Sequence, residues 1–244
     1  HYSDCGAQSI GELILNAREQ GLTVISLTDH NTLEGVGKAI QVGNLYGIHV
    51  IPAVEISVGV MQGNDVKERR DIIVYFPTVK NFEQWSQERI DEETERLFRK
   101  ATDREHNKKL WGAVNISEVI KWARKREGVT ILAHPGYFND EDAQNITKLF
   151  NQGLNGLEIY NNKFKDVAHY EKEHSEEIIQ YFLDIVRTYN EEHEQKAIMT
   201  LGTDSHVSWD VGEFELSRGT KYEIINLLKD ITQQEVGKYA WQLR

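Results

Sequence analysis

The sequence predicts an α/β barrel of parallel strands with a metal site at the C-terminal ends of those strands. Short apolar, β-branched runs alternate with segments of helical spacing, and strands that alternate with helices form parallel sheets. The 244 residues suit one barrel, which typically takes about 250 residues. Acidic residues and histidines recur where the predicted strands end, which is where such barrels build active sites.

Composition restricts the classes of function that the chain can have. The formal net charge of -11 argues against broad electrostatic capture of nucleic acid, so a large duplex is not an expected partner. We expect no membrane association, because no apolar run approaches the roughly 18 residues of a membrane span. A single cysteine, Cys5, cannot form an internal disulfide, which fits the cytoplasm. The sequence starts at His1 rather than Met, and we expect the native start to lie upstream.

Start and stop signals frame the predicted elements of the N-terminal half. Ser9 and Glu12 have the spacing of a capping box, in which each side chain satisfies a free amide at a helix start. Gly21 and Gly47 are placed to end helices in the left-handed conformation. The predicted elements are a helix ending at Gln20, a strand over 23–28, a helix over 32–46, and strands over 49–57 and 71–76.

A charged segment precedes the C-terminal half, where the alternation continues. Residues 82–109 have apolar residues at loosely helical spacing, which predicts a surface helix or inserted cap near 82–110. No linker, repeat or low-complexity segment divides the chain, so we predict a single domain over 1–244. The remaining predicted elements are a helix opened by Asn115 and closed by Gly128, strands over 129–133, 156–160 and 196–201, and helices over 140–152, 167–194 and 220–234.

Polar residues suited to metal binding stand at or just after several predicted strands. Parallel strands bring their carboxyl ends to one face, so these side chains are expected to meet there. Carboxylate and imidazole together suit zinc, manganese or iron. Each histidine taken alone could instead be a hydrogen-bonded loop residue, and the metal site is favoured by the whole set. The residues are Asp29, His30, Glu55, His134, Asp204 and His206.

Six short motifs resemble, in order, those of the polymerase and histidinol phosphatase (PHP) family of metal-dependent phosphoesterases. Each is weak alone, but together they extend over nearly the whole chain. The motifs are Tyr2-Ser3-Asp4, Leu27-Thr28-Asp29-His30-Asn31-Thr32, Pro52-Ala53-Val54-Glu55-Ile56-Ser57, Leu132-Ala133-His134-Pro135-Gly136, Gly156-Leu157-Glu158-Ile159-Tyr160-Asn161 and Gly202-Thr203-Asp204-Ser205-His206.

The resemblance implies a distorted (β/α)7 TIM-like barrel with two or three divalent ions, of zinc, manganese or iron. By motif position Asp29 would support the metal site rather than bind. The implied metal ligands are Asp4, His30, Glu55, His134, Asp204 and His206.

The sequence departs from the family pattern at two places. The family opens with a His-x-His pair, and here His1 is either its second member or only the residue before Tyr2, with the pair lying upstream. At Asp71 the family commonly has histidine. Asp71 is either a ligand that favours a harder ion such as manganese, or a surface partner of Arg69 or Arg70.

This ligand set predicts hydrolysis of a phosphate ester, either a phosphomonoester or a nucleotide, since paired divalent ions orient the ester and activate water. The candidate catalytic residues are His134, Asp204 and His206. Glu158 could support a ligating histidine or pair across the barrel. The candidate phosphate-binding residues are Arg69, Arg70 and Lys163.

Two other functions are weighed against this one. A catalytically impaired PHP-type binding or structural domain would fit the departures at His1 and Asp71. Hydrolysis of a C–N bond is less favoured, because no lysine lies in a strand-end motif. The expected partner is a small phosphorylated substrate, chosen by loops such as 57–70 and by the segment 82–109. The sequences of these segments reveal neither the identity of the substrate nor the oligomeric state.

Overall fold

The computed structural model describes residues 9–62, 65–77, 114–135, 140–161 and 172–204, and it confirms a mixed α/β fold. The described residues form two compact units, which we call the N-terminal unit, up to Ala133, and the C-terminal unit, His134 to Asp204. The predicted insertion near 82–110 and the predicted helix over 220–234 lie outside the described residues. The single-domain organisation stays a prediction.

The N-terminal unit is a four-stranded sheet with helices against it. Its strand order is β1-β2-β3-β4, in which β1 and β2 pair in parallel and β3 runs antiparallel to both of its neighbours. The strands β1, β2 and β4 therefore share one direction. The elements are α1 (Ile10–Glu19), β1 (Val24–Leu27), α2 (Glu34–Tyr46), β2 (His49–Gln62), β3 (Asp65–Tyr75), α3 (Ile116–Arg124) and β4 (Val129–Leu132).

The direction of β3 departs from the predicted parallel arrangement. The strands β2 and β3 are separated in sequence only by Gly63-Asn64, and two residues cannot make the crossover that parallel pairing needs. The segment 57–70, predicted as a loop, is therefore largely paired strand, with Met61 opposite Val66. Its charged residues have low β propensity, but ladder pairing to β2 overrides that local preference. A Gly-Asn pair between two strand-like runs was the sequence signal for this hairpin.

The predicted helix signals of α1 and α2 are confirmed. The Glu12 amide donates to Ser9 Oγ at 3.3 Å, and the Ser9 amide donates to Glu12 Oε2 at 2.9 Å, as a capping box requires. The Ser9 hydroxyl also donates to Glu12 Oε2, at 2.8 Å. The bonds that the carboxylate accepts from the Ser9 backbone and hydroxyl hold the pKa of Glu12 below its usual value, because they favour the ionised form. Gly21 and Gly47 have φ angles of 74° and 72°, in the left-handed region.

The core of the N-terminal unit is built on β2, which is buried without interruption from Ile51 to Gly59. Burial on both faces explains its nearly continuous apolar sequence. One apolar cluster joins α1 and α2 to the start of β2, and it contains Ile10, Ile14, Ala39, Ile48 and Val50. A rigid, buried β2 provides a fixed platform for the two polar residues, Glu55 and Ser57, that interrupt its apolar run.

The C-terminal unit pairs β5 and β6 in parallel and packs helices against them. Phe150 and Tyr189 bring two of these helices together, with ring centroids 4.9 Å apart. Among the described helices of both units, none is long and apolar enough to span a membrane. The elements are α4 (Asp140–Asn151), β5 (Gly156–Asn161), α5 (Lys172–Glu192) and β6 (Ile198–Gly202).

Candidate metal site

The segment Asp29-His30-Asn31 extends the pairing of β1 along the middle of β2. The Glu55 amide donates to the Asp29 carbonyl at 3.2 Å, and the Asn31 amide donates to the Glu55 carbonyl at 2.8 Å. These two bonds form a parallel bridge between His30 and Glu55. Because bridge partners lie side by side on a sheet, the backbone itself brings the imidazole of His30 to the carboxylate of Glu55.

Three candidate ligands converge in the N-terminal unit. One ligand atom each from His30, Glu55 and Asp71 lies within 4.8 Å of the other two, and His30 Nε2 is 3.7 Å from Glu55 Oε2. Glu55 is only 5% exposed, and His30 and Asp71 are partly buried. Burying carboxylates together is costly unless positive charge or hydrogen bonds compensate, and a divalent cation supplies that charge.

Ser57 and Asn31 hold this cluster in place. The Ser57 hydroxyl donates to Asp71 Oδ1 at 2.9 Å, across the register in which Ser57 faces Asp71. The Ser57 amide donates to Asn31 Oδ1 at 3.0 Å. Asn31 has φ 52°, a left-handed conformation that asparagine tolerates better than most residues. Ser57 therefore links the turn after β1 to the carboxylate on β3.

His30 provides the test of whether these residues fit a metal ion. Its Nδ1 is buried and has no hydrogen-bond partner among the described residues. A buried polar atom without a partner is costly, so such an atom calls for an explanation. Imidazole nitrogen with two carboxylates is a donor set that zinc, manganese and iron accept. The donor chemistry and the close approach of the three side chains fit a divalent ion.

Two other predicted ligands, His134 and Asp204, lie in the C-terminal unit, and both have unusual backbone conformations. Their φ angles are 25° and 48°, in a region that non-glycine residues rarely adopt. Such conformations persist where the surroundings hold them, and they cluster at functional sites. The His134 amide donates to Glu158 Oε2 at 2.7 Å. In this contact Glu158 supports the backbone of His134.

The structure describes only some of the other predicted site residues. Arg70 is partly buried and lies next to Asp71 on β3, where strand alternation directs adjacent side chains to opposite faces. Its role in phosphate binding stays a prediction, as does the choice between the two roles of Asp71. The residues His1, Asp4, Lys163 and His206, and the side chain of Arg69, lie outside the described part of the chain.

Ser57 and Asn31 belong to this cluster although the sequence did not predict a role for them. Both occur in the quoted motifs, Asn31 directly after His30 and Ser57 two residues after Glu55. A serine two residues along a strand shares the face of the glutamate, and this was the available signal. Its partner Asp71 is 14 residues away in sequence, so their contact depends on the hairpin register.

Comparisons with known proteins found a family model that matches most of the chain and solved structures of similar fold. The family model for the PHP domain matches residues 1–207. A structure from Bifidobacterium adolescentis, of a protein proposed to be a metal-dependent phosphoesterase, is 18% identical, covers 91% of each chain and has a TM-score of 0.56. An amidohydrolase from Chromobacterium violaceum with bound sulfate and no metal is 17% identical, covers 92% of this chain and 93% of its own, and has a TM-score of 0.59. No curated protein sequence gives a significant match.

Proposed function

The chain belongs to the PHP domain family, and from that premise we propose that this metal-dependent hydrolase cleaves a small phosphate ester with two or three divalent ions. The observation that carries the proposal is the convergence of His30 and Asp71 on Glu55 of the buried strand β2, with one ligand atom from each residue within 4.8 Å of the other two. Three donors of this chemistry beside one another suit a divalent cation better than they suit a simple hydrogen-bonded cluster.

We assign the remaining ligands from the motifs that contain them. His134 and Asp204 belong to the C-terminal unit, and their positive φ angles support a functional role. Asp4 and His206 complete the proposed set by motif position, and His1 is included if it is the second histidine of the opening pair. When bound, the ions would supply Lewis-acid activation of the ester and of water.

The protein's own residues orient and hold this site. Glu55 and His30 are set by the backbone bridge, and Ser57 fixes the direction of the Asp71 carboxylate. Among the candidate catalytic residues, a histidine that is not fully occupied as a ligand, His134 or His206, would donate a proton to the leaving oxygen. Arg69, Arg70 and Lys163 remain candidates for binding the phosphate group.

The test combines metal analysis with a substrate panel. Purified protein is expected to carry divalent metal and to hydrolyse at least one of a set of phosphomonoesters and nucleotides. Glu55→Gln and Asp204→Ala should lose metal and turnover together while they remain folded. Asp184→Asn is the matched control, because Asp184 is an exposed carboxylate on α5 that pairs with Arg187.

Different results would point to different functions. Bound metal without turnover of any phosphate ester would favour the catalytically impaired binding domain. Turnover of an amide in the same panel, with no ester hydrolysed, would favour the C–N hydrolase. Full metal content and full turnover in Glu55→Gln would show that the assigned cluster is not the metal site.

A further inference from the structure

Glu158 is a buried carboxylate that the proposed ligand set does not use. It lies within β5, is 2% exposed, and has the fully buried Leu157 and Ile159 on either side. A carboxylate in such surroundings costs stability unless hydrogen bonds compensate. Its retention inside an apolar strand therefore suggests a task that an apolar residue could not perform.

One oxygen of Glu158 accepts two hydrogen bonds from the same unit. Glu158 Oε2 accepts from the His134 amide at 2.7 Å and from Asn161 Nδ2 at 3.0 Å. The bond to His134 has the short length typical of charge-assisted bonds, which are stronger than neutral ones. It holds His134 at a φ angle of 25°, which a histidine would rarely adopt unaided.

The other oxygen of Glu158 is packed against the end of β6. A Cβ atom built on Gly202 would overlap Glu158 Oε1 and would lie 2.9 Å from Glu158 Cδ and 3.3 Å from Asn161 Nδ2. The carboxylate thus occupies the space that any side chain at position 202 would need. Gly202 is two residues before Asp204, so the same carboxylate packs against the end of β6 that leads into Asp204.

We propose that Glu158 is a positioning residue that sets the backbone at His134 and the end of β6 before Asp204 relative to each other. Its carboxylate holds the His134 backbone by a hydrogen bond and restricts the end of β6 by close packing. The proposal rests on the proposed function, in which His134 and Asp204 are ligands. It adds that their placement depends on Glu158, which binds no ion itself.

The first measurement needs no metal. Selective ¹⁵N-histidine labelling limits the spectrum to the backbone amides of the histidines, and His134→Asn identifies the signal of His134. In metal-free protein the His134 amide proton should resonate downfield, as expected for a short bond to a carboxylate. Glu158→Ala should move it upfield. Gly202→Ala should also move it, because the added methyl group displaces the carboxylate that His134 contacts.

The second measurement is metal affinity, from Co²⁺ titration followed by its visible spectrum. Glu158→Ala and Gly202→Ala should each weaken binding by about 10–100-fold, the usual effect of removing a partner that orients a ligand. The double variant of Glu158→Ala and Gly202→Ala should bind Co²⁺ little more weakly than Glu158→Ala alone. Without the carboxylate, the methyl group at position 202 has nothing to overlap. Glu158→Gln should lose less metal affinity, because the amide oxygen of glutamine can accept the bonds from the His134 amide and from Asn161. Glu177→Gln, an exposed change on α5, is the control.

The outcomes separate this proposal from the proposed function. If wild-type protein binds no metal, the proposed function fails, and the His134 amide signal still decides whether Glu158 holds the backbone at His134. If wild-type protein binds metal while Glu158→Ala and Gly202→Ala keep both its Co²⁺ affinity and its His134 signal, the positioning role is overturned. Should Glu158→Ala not fold, Gly202→Ala alone carries the test.

Discussion

Asp71 is the residue whose chemistry most distinguishes this site from the family pattern, which commonly has histidine there. The structure brings its carboxylate to His30 and Glu55 and ties one oxygen to the Ser57 hydroxyl at 2.9 Å. A hydrogen bond to one oxygen restricts the orientation of the carboxylate. This geometry is what the ligand interpretation requires, and as a ligand Asp71 would be a harder donor than histidine and would favour manganese over zinc.

At this scale we predict that Ser57→Ala weakens metal binding on the order of tenfold and that Asp71→Asn weakens it further. Removing the hydroxyl frees the carboxylate, whereas replacing the carboxylate removes the donor. Isothermal titration with Mn²⁺ measures both effects. Ser117→Ala is the matched control, because that hydroxyl bonds only locally to Asn115 at 2.8 Å among the contacts described. Wild-type affinity in Asp71→Asn would instead support the surface-pair interpretation.

At the scale of elements, the close approach of α2 to β2 sets the platform that carries Glu55. A Cβ atom on Gly43 would lie 2.6 Å from the Ile48 carbonyl oxygen and 2.6 Å from Val50 Cγ2. Helix α2 therefore packs so closely against residues 48–50 at this position that only glycine fits unless neighbouring atoms move. A small residue here lets α2 lie close to the strand, and the apolar cluster of Ile48 and Val50 closes around it.

We therefore predict opposite effects of alanine at two helical glycines. Gly43→Ala should destabilise the protein by about 1–3 kcal/mol, the usual cost of overpacking a core. Gly11→Ala should be neutral or stabilising by up to about 1 kcal/mol, because its nearest neighbour, Ser9 Oγ, is 4.0 Å away and alanine has the better helix propensity. Urea unfolding of the metal-free proteins measures both. If the two substitutions changed the free energy of unfolding equally, α2 would be less closely packed against β2 than described.

At the scale of the whole molecule, the net charge of -11 gives divalent cations a general influence on stability. An acidic protein is destabilised in its compact state by self-repulsion, and bound cations relieve part of it. A specific site adds a further effect, since a ligand that binds only the folded state raises the free energy of unfolding. Removing one ligand residue should abolish the contribution of the specific site and should leave the general charge effect nearly unchanged.

We predict that metal at about 100 times its Kd raises the free energy of unfolding by about 2.7 kcal/mol, or Tm by on the order of 5–10 °C. Thermal melts in EDTA and in Mn²⁺ measure the difference. Glu55→Gln should lose most of the increase, because its carboxylate belongs to the cluster, whereas Asp184→Asn should keep it. An equal increase in Glu55→Gln would indicate diffuse charge screening rather than a specific site.

The sequence by itself determined those features that depend on local chemistry. The capping box of Ser9 and Glu12 and the glycine ends of α1 and α2 need only neighbouring residues, so their signals are readable in the chain. The alternation of strands and helices likewise predicts the α/β class. The position of His30 and Glu55 at or near the ends of strand-like runs predicted that they would meet, since parallel neighbours in a sheet align such residues.

Only the tertiary structure decided the features that depend on register between distant segments. The direction of β3 follows from pairing along β2, which overrides the weak strand propensity of its charged residues, and that pairing brings Asp71 to Ser57. Glu158 likewise contacts the His134 amide, 24 positions away in sequence, and Gly202, 44 positions away, and both contacts depend on tertiary packing. Local sequence constrains neighbours along the chain, whereas these partners are chosen by hydrogen bonding and close packing across it.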